Sequence, residues 1–106
     1  MDLAELTTRA LEIREALARH EHASFGRAWS LEEIALGLVG DIGDLAKLIQ
    51  AHEGVRDIDD AAAKLEHELA DVLWSILVIA SECRIDIEHA FVHAMEEIEC
   101  SLRTSN

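Results

Sequence analysis

Four acidic residues form two pairs with helical spacing, Asp41 with Asp44 and Glu68 with Asp71. The members of each pair are three positions apart, so on a helix they share a face and lie about 4.5 Å apart along the axis. Each of the four directly precedes an apolar residue of its segment's hydrophobic stripe. The carboxylates therefore lie on the same flank of that stripe in both segments, where together they could bind a divalent metal ion.

The register of a helical hairpin would bring these two pairs to the same level. Facing residues of an antiparallel hairpin lie at equal distances from its turn. The midpoint in sequence between Asp44 and Glu68 is residue 56, and the midpoint between Asp41 and Asp71 is the same residue. That residue falls in a predicted loop from His52 to Ile58.

Four carboxylates this close would repel one another and raise one another's pKa unless cations neutralised them. Mg²⁺, or Mn²⁺, suits such all-oxygen ligation. The alternative for any single member, and for Asp41 above all, is a solvated surface charge. The level pairing of two acidic pairs, with no Lys or Arg at the four positions, favours a metal site.

Four segments have apolar residues at helical spacing, separated by short breaks, which predicts antiparallel neighbouring helices. The four stripes are Leu3, Leu6, Ala10, Ile13 and Leu17; Leu31, Ala35, Leu38, Ile42, Leu45 and Ile49; Leu65, Leu69, Val72, Ile76 and Ile79; and Ile87, Phe91, Ala94, Ile98 and Leu102. The predicted fold is an all-α, antiparallel four-helix bundle, or a half-bundle completed by a second copy.

Three local signals predict where these helices begin and end. The first helix is expected to fade between His20 and Ser24. Ser30 and Glu33 have the spacing of a capping box at the start of the second helix. Asp86 is positioned to cap the fourth.

Composition restricts the function further. A chain of 106 residues with 50% hydrophobic and 4% aromatic residues and no proline predicts a single helical domain, residues 1–106. No apolar run reaches the roughly 18 residues of a membrane span, and the first residues alternate in character, so a cytoplasmic location is expected. The net charge of −13 disfavours nucleic acid polymers and anionic membranes as partners.

Cys83 and Cys100 have no metal or disulfide pattern and are interpreted as small buried hydrophobes.

The two acidic motifs, residues 41–44 and 68–71, resemble the ExxE and ExxD motifs of MazG-like, all-α nucleotide pyrophosphohydrolases. The run at residues 36–46 is especially similar to the dCTP pyrophosphatase branch of that family, and Trp29 and the run at 85–87 extend the likeness. The resemblance covers residues from about His20 to Met95.

This resemblance implies an Mg²⁺-dependent hydrolysis of nucleoside triphosphates to monophosphate and pyrophosphate, serving nucleotide-pool housecleaning. The implied metal ligands and catalytic residues are Asp41, Asp44, Glu68 and Asp71, one of which could instead orient the attacking water. His20 and Trp29 match positions that line the base pocket, although Trp29 is equally well explained as a packing residue. The resemblance also implies a homodimer or homotetramer.

The chain departs from the family pattern in several places. Aspartates replace both glutamates of the first motif, and Ala51 and Ser75 stand where the branch tends to have aromatic residues. The family's C-terminal Lys, Asn and Arg align with Ala94, Ile98 and Glu99. Lys47 and Lys64 are the nearest cations in sequence that could compensate, although both are more simply interpreted as solvated lysines.

These departures leave two other hypotheses open. One is a weakened or inactive family member that still binds metal or nucleotide, and the other is a helical dimerisation module without chemistry.

Overall fold

A computed structural model describes residues 1–104 of the chain and confirms the all-α fold. Its four helices are α1 (Leu3–Phe25), α2 (Leu31–His52), α3 (Ala61–Glu82) and α4 (Ile87–Thr104). Helix α3 is central, because it packs most extensively on α2, less on α1 and least on α4. None of the helices in residues 1–104 is long and apolar enough to cross a membrane.

The starts of α2 and α4 are fixed by the predicted capping residues. The Ser30 hydroxyl accepts a hydrogen bond from the Glu33 N–H at 3.2 Å, and the Glu33 carboxylate accepts one from the Ser30 N–H at 3.0 Å. Asp86 accepts a hydrogen bond from the His89 N–H at 3.1 Å. These bonds satisfy amide groups that a helix leaves free in its first turn.

Helix α1 is longer than predicted. It continues through the polar segment between His20 and Ser24 and ends at Phe25. Gly26 follows with φ of 81°, a left-handed conformation that glycine adopts without steric cost, and its N–H donates to the His22 carbonyl at 2.9 Å. The prediction that α1 fades within this segment is therefore wrong.

The buried core is small and lies where α1, α2 and α3 meet. Its buried members are Ala10, Ile34, Leu77 and Val78, with Leu3, Trp74, Ile79 and Ile87 packed against them. The indole N–H of Trp74 donates to the Ala10 carbonyl at 3.1 Å, which ties α3 to α1.

The single chain is extended compared with a closed bundle. Its radius of gyration is 17.0 Å, whereas a compact domain of about 100 residues has one of about 13 Å. Helix α4 contributes no buried residue, and its stripe of Phe91, Met95, Ile98 and Leu102 is exposed. Cys83 and Cys100 are exposed as well, contrary to the expectation of buried thiols.

The apolar stripes predicted to line the interface between α2 and α3 are only partly buried there. Ile42, Ile49, Leu69 and Ile76 are 38–51% exposed. Both helices have apolar residues on more than one side, and a neighbouring stripe, which contains Ile34 and Leu48 on α2, supplies the buried residues.

Candidate metal centre

The stripe of α2 that is buried passes through an acidic residue. Ile34 and Leu48 are buried, and Asp41 lies seven residues, close to two helical turns, from each of them. On α3, Glu68 lies seven residues before the buried Ser75. The packing of apolar and small residues around them thus carries Asp41 and Glu68 into the interface, where both are half-buried.

Three of the four predicted carboxylates converge at this level of the hairpin. One carboxylate oxygen each from Asp41, Asp44 and Glu68 lies within 4.8 Å of the other two. Asp41 and Glu68 are half-buried, whereas Asp44 is exposed. A cation placed among them could reach all three residues and remain open to water on the Asp44 side.

Asp71 lies beside this group but outside it. Its Oδ2 atom is 3.2 Å from Nε2 of His67, one turn earlier on α3. Its charge nevertheless contributes to raising the pKa of both Asp41 and Glu68. The structure therefore places Asp71 next to the three converging carboxylates and in contact with an imidazole.

The electrostatics of the group are unfavourable without a counter-ion. Burial raises the pKa of Glu68, and the charges of Asp41, Asp71 and Asp44 raise it further. Burial also raises the pKa of Asp41, followed by the charges of Asp71 and Asp44. His67 opposes both shifts only weakly, since it is the smallest contribution to each.

One oxygen of Glu68 has no hydrogen-bond partner. Its Oε2 atom is buried and unpaired within the part of the chain that the structure describes. A buried acceptor without a partner is costly, particularly when it is charged. A divalent cation among the three carboxylates would satisfy this oxygen, and carboxylate oxygens are the ligands that hard cations prefer. The residues present therefore fit a divalent metal ion.

Two cavities adjoin the carboxylates. The first, of about 470 Å³, opens toward α1, and its lining comprises Ile13, Leu17, Trp29, Ile34, Gly37, Asp41, His67, Ala70, Asp71, Trp74 and Ser75. The second, of about 420 Å³, opens toward the loop between α2 and α3, and its lining comprises Asp44, Lys47, Leu48, Ile58, Ala63, Lys64, His67 and Glu68. We call them the indole cavity and the lysine cavity. His67 lines both, so the acidic group lies between two chemically different spaces.

Trp29 is held at the indole cavity by its backbone. Its N–H donates to Glu21 Oε1 at 2.8 Å, and its carbonyl accepts a hydrogen bond from the Arg14 guanidinium at 2.5 Å. Arg14 also pairs with Glu21 at 3.7 Å and with Glu82 at 3.4 Å. Trp29 as a whole remains 46% exposed, so a planar group in the cavity could contact its indole.

Sequence reasoning missed the role of Arg14 and Glu21. Both lie on the continuation of the α1 stripe that contains Ala10 and Leu17, and opposite charges two turns apart on an apolar stripe were the available signal. His20, by contrast, is exposed on α1 and lines neither cavity. Of the two predicted base-pocket residues, the structure therefore brings only Trp29 to the site.

Residues 29–100 match the MazG nucleotide pyrophosphohydrolase domain, and the chain belongs to that family.

Among curated proteins, the chain is similar to dCTP pyrophosphatase 1 of Homo sapiens, with 33% identity over 91 residues that cover 74% of this chain and 52% of that protein. It is 32% identical to dCTP pyrophosphatase 1 of Rattus norvegicus over 89 residues, with the same coverage of 74% and 52%. The chain thus spans about half the length of the curated relatives it matches. No solved structure matches it significantly.

Proposed function

We propose that this protein hydrolyses nucleoside triphosphates to the nucleoside monophosphate and pyrophosphate, with Mg²⁺, or Mn²⁺, held by Asp41, Asp44 and Glu68. The observation that carries the proposal is the convergence of these three carboxylates around a buried, unpaired Glu68 oxygen, in a chain of the MazG family. A role in clearing or balancing nucleotide pools is consistent with this chemistry.

When bound, a divalent cation would supply an activated water and neutralise charge that develops on the phosphate oxygens. Asp71 is assigned to orient and deprotonate the attacking water, because it lies beside the ligand group and is itself positioned by His67. The water oxygen bonds to the α-phosphorus, and the bond from that phosphorus to the αβ-bridging oxygen breaks. The electron pair leaves with pyrophosphate, and the water proton passes through Asp71 to solvent.

The indole cavity is assigned to the nucleobase. The exposed indole of Trp29 offers a flat surface for stacking, and Ile13 and Leu17 provide apolar walls. Trp74 contributes a fixed wall, since its N–H is already bonded to Ala10. The relatives are named as dCTP pyrophosphatases, so dCTP is the first substrate to test.

We assign a homodimer or homotetramer as the active species. A single chain leaves the apolar stripe of α4 and the outer side of α2 and α3 in water, including Leu36 and Val39 at 71% and 67% exposed. Such contiguous apolar surfaces are typical of protein interfaces. Light scattering on the full chain is expected to give a multiple of the monomer mass.

The activity is tested by incubating the full chain with Mg²⁺ and a panel of canonical and modified triphosphates, then identifying the products. We expect monophosphate and pyrophosphate, with dCTP among the substrates, and loss of both products in EDTA. A Glu68→Ala preparation, purified in parallel, controls for a contaminating hydrolase. The absence of pyrophosphate from every triphosphate, at high protein concentration and with Mn²⁺ present, would contradict the proposal.

One observation favours a second candidate, a family member that binds metal and nucleotide without turnover. Helix α4 presents Ala94, Ile98 and Glu99 where family members offer cations and an amide to the phosphates. In this case the metal-loaded chain would bind dCTP in calorimetry while releasing no pyrophosphate.

A further inference from the structure

The sequence contains two lysines, Lys47 and Lys64, and both line the lysine cavity. They belong to different helices, Lys47 to α2 and Lys64 to α3. Asp44 and Glu68, two of the converging carboxylates, line the same cavity. In a chain with 22 acidic and 9 basic residues, the placement of every lysine at one cavity calls for an explanation.

Both lysines lie one helical turn from the metal centre, on its loop side. Lys47 follows Asp44 by three residues, and Lys64 precedes Glu68 by four. Side chains at these spacings project from the same face of a helix. The hairpin register that sets Asp44 against Glu68 also sets the two lysines at nearly the same level, one on each side of the cavity.

Neither ammonium group is neutralised by the protein. Within residues 1–104, neither lysine side chain forms an ion pair or a hydrogen bond, and both residues are exposed. Five of the arginines, by contrast, pair with carboxylates: Arg9, Arg14, Arg19, Arg27 and Arg103. Lys47 and Lys64 therefore leave positive charge available beside a group of carboxylates.

We propose that Lys47 and Lys64 bind the β- and γ-phosphates of the substrate, and hence the departing pyrophosphate; this rests on the proposed function. The nucleotide would then lie across the metal centre, with its base in the indole cavity and its terminal phosphates in the lysine cavity. The two lysines on α2 and α3 supply the positive charge that Ala94, Ile98 and Glu99 on α4 cannot provide.

This placement has a catalytic consequence. When the bond between the α-phosphorus and the bridging oxygen breaks, negative charge accumulates on pyrophosphate. Positive groups already positioned at that end stabilise the charge more than they stabilise the bound substrate. An ammonium group forms strong, charge-assisted hydrogen bonds to phosphate oxygens.

The test measures pyrophosphate and dCMP binding to the Mg²⁺-loaded full chain by calorimetry. Lys47→Ala and Lys64→Ala are each expected to weaken pyrophosphate binding about tenfold, the value of one charge-assisted hydrogen bond. Binding of dCMP, which lacks the terminal phosphates, should not change. Lys47→Arg and Lys64→Arg should retain most of the affinity, because the positive charge is kept.

Arg19→Ala is the matched control for loss of one positive charge, because Arg19 is exposed on α1 and pairs with Glu15. It should bind pyrophosphate as the unmodified chain does. Circular dichroism and the Mg²⁺-induced rise in melting temperature verify that each lysine variant is folded and still binds metal.

Two outcomes would overturn the lysine proposal: unchanged pyrophosphate affinity in the Lys47→Ala/Lys64→Ala double variant, or no pyrophosphate binding by the unmodified metal-loaded chain. Both leave the hydrolysis assay free to succeed. Conversely, lysine-dependent pyrophosphate binding in a chain that hydrolyses no triphosphate would support the lysine proposal while the proposed function fails.

Discussion

The interface between α2 and α3 and the surface of α4 distribute charged and apolar groups in opposite ways. Between α2 and α3, Asp41 and Glu68 are half-buried with raised pKa values, and one oxygen of Glu68 is unpaired. On α4, Phe91 and Leu102 are 60% and 63% exposed. Both arrangements reverse the usual rule of burying apolar groups and exposing charges. This difference underlies our two proposals, a cation bound at the first region and a second copy of the chain packed on the second.

The largest expected effect concerns the carboxylates between α2 and α3. Glu68→Ala removes the carboxylate whose buried Oε2 atom is unpaired, so we expect hydrolysis to fall by more than about 100-fold, the upper range for losing a residue that only supports a metal ligand. The rise in melting temperature on adding Mg²⁺ or Mn²⁺ should disappear, because that rise reports binding to the folded state.

Glu66→Ala is the matched control, since it removes the same charge two residues away from an exposed position of α3. It should retain both activity and metal-induced stabilisation. If the metal-induced rise in melting temperature persists in Glu68→Ala, the metal does not bind at the proposed site.

The second-largest expected effect concerns the exposed apolar stripe of α4. Charges introduced by Phe91→Asp together with Ile98→Asp should dissociate the oligomer, because burying a carboxylate in an apolar interface is strongly unfavourable. Light scattering should then give the monomer mass. His89→Asp, on the opposite face of α4, also introduces a carboxylate and should leave the oligomer intact. A monomeric unmodified chain at micromolar concentration would show that α4 is not an interface between copies.

A smaller effect appears in the pH dependence of stability without metal. Because the folded state raises the pKa of Glu68 and Asp41, it binds their protons more tightly than the unfolded state does. Their contribution to stability is complete below the ordinary carboxyl pKa values, 3.8 for Asp and 4.5 for Glu, and is lost as pH rises through the raised values. In EDTA at neutral pH, Glu68→Gln should therefore melt at a higher temperature than the unmodified chain.

Glu33 acts in the opposite direction, since its hydrogen bond with Arg27 and those with Ser30 lower its pKa to about 2. The contribution of Glu33 to stability is present above the ordinary pKa of a glutamate and is lost as pH falls toward 2. The difference in melting temperature between Glu68→Gln and the unmodified chain, measured from about pH 4 to pH 7, isolates the Glu68 effect. A difference that does not grow with pH would contradict the raised pKa.

The smallest expected effect is local to the start of α2. Ser30→Ala removes one cap and should cost about 1 kcal/mol, or roughly 4–8 °C in melting temperature for a domain of this size. Ser24→Ala, at an exposed position near the end of α1, is the control and should change little. Metal affinity should be the same in both variants. A loss of metal binding in Ser30→Ala would show that the arrangement of the carboxylates depends on the cap at the start of α2.

Local features of the fold were predictable because they depend on neighbouring residues. Short-range hydrogen bonds and apolar periodicity predict the capping box of α2, the Asp86 cap of α4 and the number of helices, and the structure confirms them. The level pairing of the acidic residues was also predictable, because a hairpin's register depends mainly on the length of its loop. Gly26 was the missed local signal, and it would have placed the end of α1 at Phe25.

Contacts between distant segments were less predictable. Helix α2 has apolar residues on several sides, and a rotation of about 100° per residue separates one stripe from the next. Periodicity therefore favoured Ile42 and Ile49, while the fold buries Ile34 and Leu48. The contacts of Arg14 with Trp29, and the pairing of Asp71 with His67, likewise depend on how the helices are rotated.

Local patterns and composition were sufficient to predict the number of helices, the caps of α2 and α4, the spacing of the acidic residues and the excess of negative charge, because each depends on one segment or on composition. Packing between the helices was needed to show which three carboxylates converge, that His20 lies apart from the site, and that the only two lysines line one cavity. These features depend on the rotation of each helix about its axis, which is set by all of the contacts between helices together. No single segment contains that information.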